Sequence, residues 1–233
     1  MLGCESSPTG AGSSARLGAR PAAPSGTISP GQFSLGLGSG RDGILLVPSS
    51  YSPAQPMPLV LSLHGAGGSA SGPISLLSPY AESMGFLQLA VDSRGQTWDA
   101  LTDGYGPDVA FIDRALRQTL GRCAVDSARI VIEGFSDGAS YALGLGLANG
   151  DLFTRVVAFS PGFIPRSDTP RQGRPDIFIS HGTGDPVLPI DATSRRIVPA
   201  LRADLYSVTY TEFDGGHEVT PQVATAAVAW LLR

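Results

Sequence analysis

Ser136 stands in Gly134-Phe135-Ser136-Asp137-Gly138, the only Gly-x-Ser-x-Gly in the chain. A serine hydroxyl becomes a useful nucleophile when a neighbouring base removes its proton, and it attacks acyl carbons when donors await the oxyanion that forms. The frame alone is weak, because a chain with 30 glycines produces such matches by chance. Context strengthens it. The run Arg129-Ile130-Val131-Ile132-Glu133 leads in and the small-residue run Ala139-Ser140-Tyr141-Ala142-Leu143-Gly144 leads out. A sharp strand-to-helix turn needs glycines two before and two after the serine. It also lifts the hydroxyl to a helix N-terminus, where negative charge is favoured. The plainer alternative is that Ser136 only caps that helix.

Three histidines are candidates for the base. His64 and His181 each end an apolar run and precede glycine, and both read as structural. His217 lies in Asp214-Gly215-Gly216-His217-Glu218, after the final strand pattern and before the final helical one. A glycine loop there can carry an imidazole over a sheet edge to within hydrogen-bond reach of the serine. The acid should follow a strand between nucleophile and base. Asp185, held between Gly184 and Pro186, meets that condition and would fix the imidazole tautomer without taking the proton itself. Asp191 is the runner-up but reads as the N-cap of the next helix. Asp214 is too close in sequence to His217 to pair with it comfortably.

His64-Gly65-Ala66-Gly67-Gly68 follows the apolar run 58–63. Glycines there allow backbone amides to approach a tetrahedral oxygen, and the expected pair of donors is the amides of Ala66 and Asp137. The alternative is a merely tight turn. Gly67, Trp98 and Phe163 are candidates for substrate contact, with Tyr105 beside them, although each aromatic could equally be packing.

Composition narrows the chemistry further. The chain has sixteen arginines and no lysine, which excludes a Schiff-base lysine, a phosphate-loop lysine and a Ser–Lys dyad. Three histidines and two cysteines leave little for a structural zinc site. No cofactor or metal is expected. A net charge of −4 and the lack of a basic cluster argue against nucleic acid as partner. No run of 18 apolar residues exists, so no integral membrane segment is expected. The expected partner is a small-molecule ester. No pattern speaks to oligomeric state.

These residues need a scaffold. Apolar runs at 44–48, 59–63, 86–91, 130–133, 156–159, 177–180 and 206–213 read as strands. Helix-spaced apolar positions fall at 107–120, 136–148, 191–201 and 221–232. Unbroken apolar strands alternating with helices predict an α/β fold, with a mostly parallel sheet covered on both faces. Sites in such sheets form at the carboxyl ends of strands, where every candidate above lies. Gly38-Ser39-Gly40-Arg41-Asp42-Gly43 imitates a dinucleotide glycine pattern, but a strand rather than a helix follows it, so it reads as a turn.

With 42% apolar residues, the chain supports one catalytic domain over 27–233. Residues 1–26, rich in Gly, Ser, Ala and Pro, read as an unstructured leader or linker. Met1-Leu2-Gly3-Cys4 looks like the end of a lipoprotein signal without the apolar stretch before it. Export and residence in the bacterial cytoplasm both stay open. Cys4 and Cys123 read as two unpaired thiols.

HGAGG, SRGQTWD (93–99), GFSDGA, HGTGDPVLP and GGHE follow one another in an order that resembles the phospholipase/carboxylesterase type of serine α/β-hydrolase. The chain is also similar to esterases grouped with polyhydroxybutyrate depolymerases and feruloyl esterases. The likeness covers about residues 42–233. It implies an α/β-hydrolase fold, the Ser136–Asp185–His217 triad, no cofactor, and a serine esterase on short-chain or aryl (feruloyl-type) esters working through an acyl-enzyme. Thioesterase or polyester depolymerase activity with the same triad is the alternative. An acyltransferase or a non-catalytic binding protein is a more distant one. Dienelactone hydrolases share the scaffold but use cysteine, which Ser136 argues against. Asp137 departs from the Gln or Ala common after the serine. The stretch 160–175 is too short for a large cap, which predicts an open, shallow site.

Overall fold

The computed structural model describes residues 14–233. Eight strands form one sheet: β1 (Gly31–Ser34), β2 (Gly43–Val47), β3 (Met57–Leu63), β4 (Leu87–Val91), β5 (Val125–Phe135), β6 (Arg155–Phe159), β7 (Asp176–Gly182) and β8 (Val208–Phe213). Their order is β1-β2-β4-β3-β5-β6-β7-β8. β2 pairs antiparallel with both β1 and β4, and the pairings β4–β3, β3–β5, β5–β6, β6–β7 and β7–β8 are parallel. Five helices cover it: α1 (Ser71–Met84), α2 (Pro107–Arg122), α3 (Asp137–Ala148), α4 (Ser194–Ala203) and α5 (Pro221–Leu231). This is the α/β-hydrolase arrangement, mostly parallel and flanked by helices.

The continuous apolar strands follow from burial on both faces. In β3, Leu59, Leu61 and Leu63 join the core under α2, α3 and α4, while Val60 joins the core under α1 and α5. In β5, Ile130 and Ile132 take the first side and Val131 the second. Period-two alternation thus divides one run between two cores.

Three elements differ from the sequence expectation. β1 is a four-residue edge strand of mixed sequence. α1 was hidden by Gly72, Pro73 and Pro79, yet Ile74, Leu77 and Ala81 bury one face of it and Gly85 ends it at φ 74°. Tertiary burial outweighs the interior proline, which sits on the exposed side. Asp191 does not cap α4. It lies in a single 3₁₀ turn, Thr193 precedes α4, and the Asp191 carboxylate pairs with Arg195 at 2.8 Å.

The unstructured leader also needs correction where it is described. Residues 14–26 form no strand or helix, but Ala15, Leu17 and Ala19 are buried in the main core. Burial at every second position is the pattern of an extended chain laid on a surface. The Leu17 amide donates to Asn149 Oδ1 at 2.9 Å, and the Gly18 and Ala19 amides donate to Asp113 Oδ1. Arg16 pairs with Asp151, as does Arg20 at 2.8 Å. Composition missed this because the partners that satisfy the segment's amides come from α2 and the end of α3. Cys4 and the lipoprotein-like start lie outside the described residues. Cys123 is buried and free, with its thiol pushed up to about 11 by burial.

Candidate active site

β5 runs into Ser136 and α3 leaves it. Ser136 has φ 58° and ψ −119°, a region sparsely populated for a residue with a Cβ and usually held only where the surroundings demand it. Its amide donates to Phe159 O of the neighbouring strand at 2.9 Å. The flanking glycines are sterically required. A Cβ on Gly134 would lie 2.3 Å from Gly138 O, and one on Gly138 would lie 2.3 Å from Leu63 O. Ser136 does not cap α3 through its side chain. Its Oγ is instead 2.8 Å from His217 Nε2.

His217 Nδ1 lies 2.6 Å from Asp185 Oδ2, so a continuous hydrogen-bonded chain links Ser136, His217 and Asp185. The imidazole also stacks on Phe135, with ring centroids 4.8 Å apart. The loop carrying His217 is packed rather than free to swing. A Cβ on Gly182 would meet Gly216 O at 2.2 Å, and the Gly184 amide donates to Gly215 O at 2.9 Å. Gly182 thus serves the close approach of the two loop backbones.

Asp185 Oδ1 accepts from the amides of Val187 and Leu188, both at 2.8 Å. Burial pushes the Asp185 carboxyl up, but the Leu188 amide, His217 and the Val187 amide together hold it below the ordinary carboxylate value. It is therefore an anion facing His217 Nδ1. The other two histidines are structural, as their sequence positions suggest. His181 Nε2 donates to Leu188 O at 2.8 Å, and Nδ1 takes Ser194 Oγ at 2.7 Å. His64 Nδ1 donates to Gly65 O, and Nε2 accepts from the Ser93 amide at 3.0 Å. Burial lowers the pKa of both, which keeps them neutral.

The loop after β3 and the start of α3 bring the Ala66 and Asp137 amides to the serine's side of the sheet edge. Neither amide donates to another group among the described residues. Asp137 Oδ2 accepts from the Thr97 hydroxyl, which ties the residue after the serine to the 93–99 loop. Gly67 has φ 67° and donates to Gln96 O at 2.7 Å, fastening the same two loops together.

The substrate-wall expectations need correction. Trp98 is fully buried, donates from Nε1 to His64 O at 2.9 Å, and packs between His64 and Tyr141. It supports the amide-bearing loop from behind. Tyr105 is buried against Tyr141. Gly67 and Phe163 do not line the cavity next to His217, and Phe163 is half exposed. That cavity has a volume of about 420 Å³ and is bounded by the 64–69 loop, the start of α1, the end of β5 and residues 217–219. The segment 160–175 carries no helix, as expected. The site nevertheless has depth, because α1 supplies a wall that the sequence did not reveal. Among the described residues, no group of three or more His, Cys, Asp or Glu could hold a metal, and no helix is long and apolar enough to cross a membrane.

Comparison with known proteins agrees with this fold. The chain is 27% identical over 216 residues to feruloyl esterase C of Emericella nidulans, covering 78% of each chain. Its fold superposes on the Bacillus cereus carboxylesterase with a TM-score of 0.62 at 21% identity, over 83% of this chain and 94% of that one. It superposes on S-formylglutathione hydrolase from Staphylococcus aureus with a TM-score of 0.70 at 15% identity, over 89% of this chain and 99% of that one. Residues 109–231, more than half of the chain and the part that holds Ser136, Asp185 and His217, match the phospholipase/carboxylesterase family; the chain belongs to that family and is a carboxylic ester hydrolase.

Proposed function

We propose that Ser136 is the nucleophile, His217 the base and Asp185 the orienting acid of an acyl-enzyme esterase acting on short-chain or aryl esters, feruloyl-type esters included. The observation that carries this reading is the hydrogen-bonded chain from Ser136 Oγ through His217 to Asp185, at 2.8 and 2.6 Å. Ser136 Oγ attacks the ester carbonyl while His217 Nε2 takes its proton. The buried Asp185 anion stabilises the imidazolium. The amides of Ala66 and Asp137 hold the oxyanion, and α3, which begins at Asp137, directs its N-terminus at the same charge. His217 then protonates the departing alcohol, and water, deprotonated by His217, releases the acid and restores Ser136.

The substrate range rests on two features. The cavity beside His217 is bounded and mostly apolar, of a size to hold one aromatic or short aliphatic group. No cap over 160–175 extends it to take a long chain. The resemblance to feruloyl esterase C supports the aryl choice. The test is a series of p-nitrophenyl acetate, butyrate, octanoate and palmitate, with methyl ferulate beside it. Turnover of acetate, butyrate and ferulate with palmitate far behind is expected. A preference for palmitate would overturn the range, and turnover of thioesters or polyesters alone would replace the ester assignment.

A further inference from the structure

Arg41 belongs to the glycine-rich turn between β1 and β2, outside the triad and its loops. The turn is built to hold it. Gly40 has φ 129°, and a Cβ on Gly38 would meet Arg41 O at 2.0 Å, so both glycines are required where they stand. The Asp42 carboxylate accepts from the Gly36 and Leu37 amides at 2.7 and 3.0 Å, and the Asp42 amide donates to Asp92 Oδ2 at 2.9 Å. Arg94 Nη1 donates to Arg41 O at 2.7 Å. From this base the Arg41 guanidinium reaches two other loops at once. Nη2 donates to Gly68 O at 2.8 Å and lies 3.2 Å from His64 Nε2 and 3.3 Å from Ser93 Oγ, while Nε donates to Ser93 O.

These contacts converge on His64. Its Nε2 accepts from the Ser93 amide at 3.0 Å with the Arg41 cation beside it, so a proton there would point at two donors. Burial, with the Arg41 charge adding to it, lowers the His64 pKa against the opposing bond to Gly65 O. The proton is therefore on Nδ1, which donates to Gly65 O at 2.7 Å. The Gly68 amide donates to the same oxygen at 3.1 Å. Gly65 O and the Ala66 N–H belong to one planar trans peptide and point in opposite directions. Fixing the carbonyl with two donors therefore fixes the amide. The loop stands against the nucleophile, since a Cβ on Gly65 would lie 3.4 Å from Ser136 Cβ.

We infer that Arg41 is a positioning residue for the oxyanion hole, acting through His64 and Gly68 O to set the direction of the Ala66 amide. This rests on the esterase function proposed above and adds a residue to that site. Arg41 touches no reacting atom. A poorly aimed amide still admits an ester with a neutral carbonyl. It fails the tetrahedral oxygen, whose charge needs donors at about 2.7–3.1 Å. Loss of Arg41 should therefore fall on kcat and spare KM. Lysine is a poor substitute, because an ammonium lacks the planar fork that serves Ser93 O and Gly68 O together.

The test uses the full chain with Arg41→Met, which keeps the stem and removes every donor, and with Arg41→Lys, which keeps the charge. Hydrolysis of p-nitrophenyl butyrate gives kcat and KM. Inhibition by n-butyl trifluoromethyl ketone reports the hole itself. Ser136 Oγ adds to the ketone carbon, its proton passes to His217, and the ketone oxygen becomes the anion that the amides hold. In Arg41→Met, kcat should fall about tenfold to a hundredfold with KM within about twofold. The inhibition constant of the ketone should rise by a similar factor. Arg41→Lys should show the same pattern by a smaller factor, and carries the test should Arg41→Met fail to fold. Wild-type kcat in a folded variant overturns the inference, as does a loss confined to KM or a fall in kcat with inhibition by the ketone unchanged. A wild-type chain that neither cleaves the ester nor binds the ketone overturns the esterase function and the inference with it, an outcome distinct from an active wild type with indifferent variants.

Discussion

His181 Nε2 and Asp185 Oδ2 lie 3.1 Å apart, both side chains fully buried, on the carboxylate oxygen that also faces His217 Nδ1 at 2.6 Å. The proposed acid is therefore held from three sides: by the amides of Val187 and Leu188, by His217 and by a neutral histidine. His181 is itself fixed by Ser194 and Leu188 O. His181 is a positioning residue that touches no reacting atom.

Replacing His181 by leucine should loosen Asp185 and with it the tautomer and tilt of His217. A loss of about tenfold to a hundredfold in kcat, with KM little changed, is the expected scale for a misplaced catalytic group. His181→Gln, which retains an N–H for the carboxylate, should recover most of the rate. Unchanged kcat in His181→Leu would show that the backbone amides suffice.

Glu133 should leave a mark on stability. Burial pushes its carboxyl up to about 7, partly opposed by the Ser62 hydroxyl. A raised carboxyl pKa means that the folded chain holds a proton the unfolded chain has released. The stabilising effect is therefore complete below the ordinary glutamate value and is lost as pH climbs to about 7. The loss is on the order of 3 kcal/mol at about 1.4 kcal/mol per unit. His64, His217 and Glu218 line the same cavity and Gln88 is neutral, so the difference between wild type and Glu133→Gln isolates the one group. Urea unfolding from pH 5 to 8 should show a steeper decline in the wild type, and parallel curves would contradict the burial argument.

The segment before β1 should behave as part of the core. Leu17 is 1% exposed, so Leu17→Ala should cost about 2–4 kcal/mol, lowering the melting temperature of a chain this long by roughly 5–10 °C. An unchanged melting temperature would mean that this stretch lies loosely on the surface in solution.

The site is legible in sequence where its chemistry is local. The glycines around Ser136 mark backbone that only glycine can form, and the Gly184–Pro186 frame of Asp185 and the Gly-Gly before His217 mark loops after strands. The sheet is legible for the same reason, since β3 to β7 are apolar runs buried on both faces. What is lost depends on distant partners. α1 reads as loop because its Ser, Gly and Pro content hides a narrow buried face, and with it goes one wall of the cavity. Trp98 looks like a substrate contact from its motif, but its indole N–H is used by His64 O. Residues 14–20 look unstructured because the side chains that bind their backbone, Asp113 and Asn149, come about 95 and 132 positions later.

The most direct test of Ser136 as nucleophile is the kcat/KM of wild type and Ser136→Ala for p-nitrophenyl butyrate, with folding of both verified by circular dichroism. The expected result is a loss of about 10⁴-fold or more in the variant, with the short aryl esters turned over by the wild type. Undiminished turnover in Ser136→Ala would contradict the assignment and move the nucleophile elsewhere in the chain.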